Sequence, residues 1–130
     1  MAHYFITGAS SGIGAALAVQ LTAAGHQVSA VARRQQRLAA LSEQLDAFHG
    51  YVADVGDAES LATAIDKAKA KSGAIDVAIL NAGIYQPQDG IKIDPQIYAN
   101  HMTTNYLGVV NALAGLVPDC LLYTSPSPRD

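Results

Sequence analysis

The sequence predicts an α/β fold built on a doubly wound parallel sheet. Three observations support this. Short β-like runs alternate with helix-length amphipathic segments along most of the 130 residues, the pattern of βαβ units. A glycine-rich turn, "TGASSGIG", joins the first strand candidate to the first helix candidate. "IDVAILN" (75–81) is a nearly continuous apolar run, expected of a parallel strand buried on both faces. Right-handed crossovers between such strands place helices on both sides of the sheet.

Each element has its own signal. "HYFIT" (3–7) is the first strand. "IGAALAVQLTAAG" (13–25) is a helix, with Ile13, Leu17, Leu21 and Ala24 at helical spacing and Gly25 placed to end it. "QVSAVA" (27–32) is the second strand. "QQRLAALSEQLDA" (35–47) carries Leu38, Leu41 and Leu45 on one helical stripe. "FHGYVAD" (48–54) is the third strand. "DAESLATAIDKAKAKSG" (57–73) is a helix with Asp57 as N-cap, Leu61 and Ile65 inward, and lysines near its C-terminal dipole. The fourth strand, 75–81, is followed by a Pro/Gly/Gln loop (84–93). Asp94–Pro95 reads as an N-cap followed by proline at the first helical position. That helix is expected to run to about Val117. No internal repeat or low-complexity segment interrupts the pattern.

Composition narrows the functional classes. The length suits one domain. Charged residues make up 15% and the net charge is −3, which gives no electrostatic reason to expect nucleic acid or an anionic membrane as partner. The single cysteine, Cys120, rules out an internal disulfide framework and fits a reducing compartment. The N-terminal stretch lacks a basic region followed by a long apolar one, so no secretory signal is read there, and no apolar run approaches a membrane span. A cytoplasmic location is expected. His3, His26, His49 and His101 have no metal-ligand spacing, and surface or turn roles are expected for them.

The glycine turn carries the chemistry. Gly8, Gly12 and Gly14 are spaced G-x-x-x-G-x-G. Glycine allows the sharp strand-to-helix turn, a backbone without Cβ lets a pyrophosphate approach, and the helix N-terminus offers free N–H groups. The alternative is a turn that merely packs strand against helix, and the strand–turn–helix context favours the nucleotide.

With "NAG" at 81–83 and "TNYLG" at 104–108, the chain resembles the short-chain dehydrogenases/reductases over residues 3 to about 118. The resemblance implies a Rossmann-like sheet, here cut after the fourth strand and the helix that follows it. It implies that Gly8, Ser10, Ser11, Gly12, Ile13 and Gly14 line the phosphate and ribose end of a nicotinamide dinucleotide. It implies that Asp54 and Val55 reach the adenine, and that Asn81, Ala82 and Gly83 form the floor beside the adenine-side ribose. Asn105 matches the family's catalytic asparagine, which holds a water that relays protons to the active-site lysine. Read without the family, Asp54 caps a turn and Asn105 is a polar core residue bonded to backbone. The family also implies a homo-oligomer packed through the 95–117 helix and a small-molecule carbonyl or secondary alcohol as substrate.

The end of the second strand bears on which nicotinamide is used. NAD enzymes place an acid there, roughly 20 residues after the glycine turn, to bond the ribose 2′-hydroxyl. The corresponding residue is Ala32, followed by Arg33 and Arg34. A guanidinium binds a 2′-phosphate that a carboxylate would repel. NADP(H) is therefore expected ahead of NAD(H), with Arg33 as the main contact. Arg34 reads equally well as a solvated start of the next helix.

The family's proton donor is a tyrosine whose pKa is lowered by a lysine four residues later. Tyr4, Tyr51, Tyr85, Tyr98, Tyr106 and Tyr123 are followed at that place by Gly8, Val55, Asp89, Met102, Val110 and Ser127. Residues 1–119 are thus expected to be the N-terminal part of an NADP-dependent reductase, inactive by itself. A non-catalytic nucleotide-binding regulator of the same fold is the alternative. The ending "CLLYTSPSPRD" (120–130) reads as neither helix nor strand. One choice of codons for it spells the adaptor used in transposase-based DNA library preparation, so a non-native tail is expected.

Overall fold

A computed structural model describes residues 1–10, 12–87 and 90–124. The chain forms β1 (His3–Thr7), α1 (Gly12–Ala23), β2 (Gln27–Ala32), α2 (Gln35–Gln44), β3 (Phe48–Val52), α3 (Ala58–Ser72), β4 (Val77–Leu80) and α4 (Pro95–His101). A π-helical turn, Met102–Leu107, then leads into α5 (Gly108–Thr124). The sheet order is β3-β2-β1-β4 and every pairing is parallel. Thr7 pairs with Val31 on one side and Leu80 on the other, so the strands end level with one another.

Alternation along the strands builds two cores. Phe5 and Val31 face α3 and α5, where Leu61, Ala64, Ile65, Ala68, Ala112 and Leu116 bury against them. Ile6, Val28 and Ala30 face α1 and α2, packing with Ala18, Leu38 and Phe48. A parallel sheet covered on both faces is the doubly wound arrangement the sequence predicts. The caps form as expected. The Asp57 carboxylate accepts from the N–H of Glu59 and Ser60, and Asp94 accepts from the N–H of Gln96 with Pro95 in the first turn.

Four expectations need correction. First, β4 is not buried on both faces. Val77 and Ala78 are exposed, and Ile79 and Leu80 are half-buried, because among the described residues β4 pairs only with β1 and lies at the sheet edge. Second, Ile13 does not join the inward stripe of α1. It is 72% exposed, and the buried residues of α1 are Gly14 and Ala18. Third, His3 is buried rather than at the surface. Its ring bonds Ser29 Oγ at 2.6 Å and the carbonyls of Gly73 and Ala74 at 3.0 and 3.2 Å, so the imidazole ties β1 and β2 to the end of α3.

Fourth, the final helix does not stop near Val117. It passes through Pro118 and continues to Thr124, so the first residues of the adaptor-like ending are helical. Residues 120–124 contain no breaker, and the prolines that argued for a break, Pro126 and Pro128, lie outside the described residues.

Candidate functional site

The carboxyl ends of all four strands open onto one cleft of about 270 Å³. It lies where the chain, having built β2 and β3 on one side of β1, crosses to place β4 on the other. That reversal splays the loops apart and makes a crevice for ligands. The cleft is lined by Gly8 and Ser10 after β1, Val31 and Ala32 of β2 with Arg33 and Arg34, Ala53, Asp54 and Val55 after β3, and Asn81, Ala82, Gly83 and Ile84 after β4, with Thr104 from the π-turn.

The glycine turn is shaped by close backbone approach. Gly8 has φ +74°, and a Cβ there would lie 2.7 Å from the Ala82 Cα. Gly12 has φ +61°, yet a Cβ there would meet nothing within 4 Å, so open space lies beside the start of α1 where an anion would approach. A side chain at Gly14 would strike the Gly8 carbonyl. The residues present therefore fit a pyrophosphate lying against this turn. The next loop locks to it. Asn81 Nδ2 donates to Gly8 O at 3.2 Å, and the Ala82 N–H donates to the buried Thr7 hydroxyl at 3.0 Å. The predicted floor thus also braces the turn from below.

At the other end of the cleft, Ala32 closes β2 and is nearly buried, while Arg33 and Arg34 are exposed. Among the described residues neither guanidinium is paired with a carboxylate. Asp54 Oδ1 accepts from the Gly56 N–H at 2.9 Å, so Asp54 does cap a turn, and it lines the cleft as well. Val55 is buried, and its carbonyl accepts from Asn111 Nδ2 at 2.8 Å. Gly108 lets the last helix lie against the Val55 side chain.

Asn105 sits in the π-turn, a helical irregularity frequent at functional sites. Its side chain makes two hydrogen bonds to one residue. Oδ1 accepts from Ile84 N–H at 2.7 Å, and Nδ2 donates to Ile84 O at 2.8 Å. It bonds backbone as the residues alone suggested, but it is exposed rather than in the core.

The structure thus brings Gly8, Ser10, Arg33, Arg34, Asp54, Val55, Asn81, Ala82 and Gly83 together around one cleft. Gly12, Ile13 and Gly14 stand beside it at the head of α1, Asn105 stands behind Ile84, and Ser11 lies outside the described residues. Sequence reasoning missed Val31, Ala53, Ile84 and Thr104 in the lining and the buried Thr7, which bonds Ala82. Thr104 sits inside "TTN", but only the fold aims it here. Among the described residues, His49 and Tyr51 have displaced pKa values, and neither lines the cleft. His49 is lowered by burial, then by the Lys71 and His3 charges. Tyr51 is raised by burial.

A family model described as short chain dehydrogenase matches residues 2–125, running past Cys120. A 3-dehydrosphinganine reductase of Arabidopsis thaliana is 34% identical over 121 residues, covering 89% of this chain and 36% of that protein. An NADPH-dependent pterin aldehyde reductase of the same plant is 33% identical over 117 residues, covering 87% and 48%. Among solved structures, a 3-ketoacyl-(acyl-carrier-protein) reductase from Brucella melitensis complexed with NADH superposes with a TM-score of 0.85 at 28% identity, covering 90% and 49%. The chain therefore spans between about a third and a half of the length of these relatives.

Proposed function

The chain belongs to the short-chain dehydrogenase family, a family of oxidoreductases that use a nicotinamide cofactor, and we propose that its cleft holds NADP(H) for hydride exchange with a carbonyl or secondary alcohol. The observation that carries this reading is the convergence of four strand ends on one cleft, with guanidiniums that pair with no carboxylate among the described residues at the rim where an NAD enzyme keeps an acid. The NADPH-dependent relative supports it, while the NADH complex of a structural neighbour keeps NAD(H) as the competing outcome.

When bound, the cofactor would supply or accept the hydride. On this reading the chain's residues take the following roles. The amides after Gly8 and the Ser10 hydroxyl hold the pyrophosphate. Arg33, with Arg34 beside it, holds the 2′-phosphate. Asp54 accepts from the adenine end, and Val31, Ala32, Ala53 and Val55 shield the ring from water. Asn81–Gly83 form the ribose floor. Asn105 uses one amide N–H and one oxygen lone pair on Ile84, which leaves a second N–H and a second lone pair to hold a water.

The test is cofactor titration of Arg33→Ala. A lost charge-assisted contact is worth roughly 1.5–3 kcal/mol, so NADPH should weaken about ten- to a hundredfold while NADH changes little. Equal losses for both cofactors would reject the assignment. Ala32→Asp should turn preference toward NADH.

None of the six tyrosines has a lysine at the fourth place; the second reading is a nucleotide-binding regulator of the same fold without catalysis, and a Y-x-x-x-K in the full-length gene would decide for the enzyme. On either reading these 130 residues should not turn over. NADPH absorbance followed with a panel of aldehydes and ketones should stay at the blank rate, and any consumption above it refutes this.

Two further proposals concern the helical end. The exposed Tyr98, Met102, Tyr106, Val110, Leu113 and Val117 suit packing of a second copy of the enzyme against α4 and α5, to be read from the molar mass in light scattering of wild type and Val110→Glu. Cys120–Asp130 is proposed to be foreign to the gene. Adaptor-free DNA from the same source that encodes the same residues would overturn that.

A further inference from the structure

We propose that His101 is a positioning residue that clasps the segment Ile84–Gln86 and so fixes the lip of the cleft. The proposal rests on the nicotinamide reading of that cleft. His101 closes α4. Its Nδ1 lies 2.7 Å from the carbonyl of Ile97, four residues back. A carbonyl can only accept, so Nδ1 carries the hydrogen. Its Nε2 lies 2.9 Å from the backbone nitrogen of Gln86. That N–H can only donate, so Nε2 is bare. The two partners together select one tautomer of the neutral ring. The Tyr85 ring meets the imidazole edge-on, with centroids 6.5 Å apart.

Asn105, four residues on and therefore near His101 along the helical segment, takes both backbone polar groups of Ile84. Two side chains thus hold three backbone groups within three residues that belong to no helix or strand. Ile84 lines the cleft, so what holds this segment holds the lip. Gln86 is exposed, and water would satisfy its N–H equally well. Burial therefore does not require the His101 bond, and what the bond supplies is position. Without it the segment is pinned at Ile84 alone and swings about that point.

The test compares the full chain with His101→Ala, His101→Asn and His101→Gln. A glutamine reaches as far as Nε2 and presents an acceptor oxygen, whereas an asparagine stops where Nδ1 stands. Amide hydrogen exchange at Gln86 should quicken roughly five- to tenfold in the alanine and asparagine variants and return toward wild type in the glutamine variant. NADPH affinity should follow the same order. The amides of Val28 and Ala30 in β2 report that the fold is intact, and if the alanine variant loses them, the asparagine–glutamine pair carries the comparison. Gln86 exchange that is equally fast in wild type and His101→Ala would overturn the clasp. A protected Gln86 with NADPH affinity unchanged across the variants would overturn its service to the cleft. A wild-type chain that protects Gln86, responds to the substitutions, and binds no NADPH would uphold the clasp and overturn the cofactor reading instead.

Discussion

β2 and β4 flank β1 on opposite sides, both parallel to it and both apolar, yet their surroundings differ. β2 has a strand on each edge and helices on each face, and Val28, Ser29, Ala30 and Val31 are all sealed from solvent. β4 has one strand neighbour, and its first two residues are exposed. Apolar character in a strand thus records what the sequence is built to face, while actual burial depends on which neighbours are present. The same contrast divides the site. Both sides line the cleft, and Asn81 and Ala82 after β4 brace the glycine turn, but exposed apolar residues such as Val77, Tyr98, Met102, Tyr106 and Val110 gather on the β4–α4–α5 side.

Substitutions at matched positions sharpen this contrast. The largest effect is expected in the braced turn. Gly8→Ala combines a left-handed backbone with a clash against Ala82 and should cost about 3 kcal/mol. Gly12→Ala meets only the conformational term and should cost about 1 kcal/mol. Denaturant midpoints at constant slope separate the two, and equal losses would show that the clash relaxes.

Next comes the strand pair itself. Val31→Ala, at a fully buried site, should lose about 2 kcal/mol, and Val77→Ala, at 39% exposure, less than about 1 kcal/mol. An unpaired apolar edge also invites strand pairing between chains. Val77→Lys should therefore slow aggregation, followed by light scattering, without lowering the denaturant midpoint. Unchanged aggregation would place the sticky surface elsewhere, on α4 and α5.

The smallest effect concerns His49 on β3. Its folded pKa is lowered by burial and by the charges of Lys71 and His3. The unfolded chain therefore binds a proton at higher pH than the folded one, and stability falls as pH drops from about 6.5 toward the folded pKa. His49→Gln should flatten that part of the curve of melting temperature against pH. An identical slope in the variant would assign the acid loss to other groups.

Much of the fold was legible because it is local. Asp57 and Asp94 cap helices by bonds two or three residues long. Leu61 and Ile65 point inward by helical period alone. The glycine spacing marked the strand-to-helix turn because positive φ is a property of single residues. The misreadings have the opposite character. Ile13 matched the helical stripe but lies beyond the sheet's reach. His3 looked like a surface residue because Ser29, Gly73 and Ala74, its partners, are distant in sequence. The π-turn at Asn105 left no mark in the hydrophobic pattern.

The sequence by itself determined the order of elements, the positive-φ glycine turn after β1 and the absence of an acid after β2, since each depends on a few adjacent residues. Only the tertiary structure decided that β4 is an edge, that Asn105 and His101 hold the backbone of 84–86, and that Thr7 braces Ala82. Those outcomes depend on which segments meet across 15 to 75 positions of chain, and that is set by sheet topology, which no local pattern encodes.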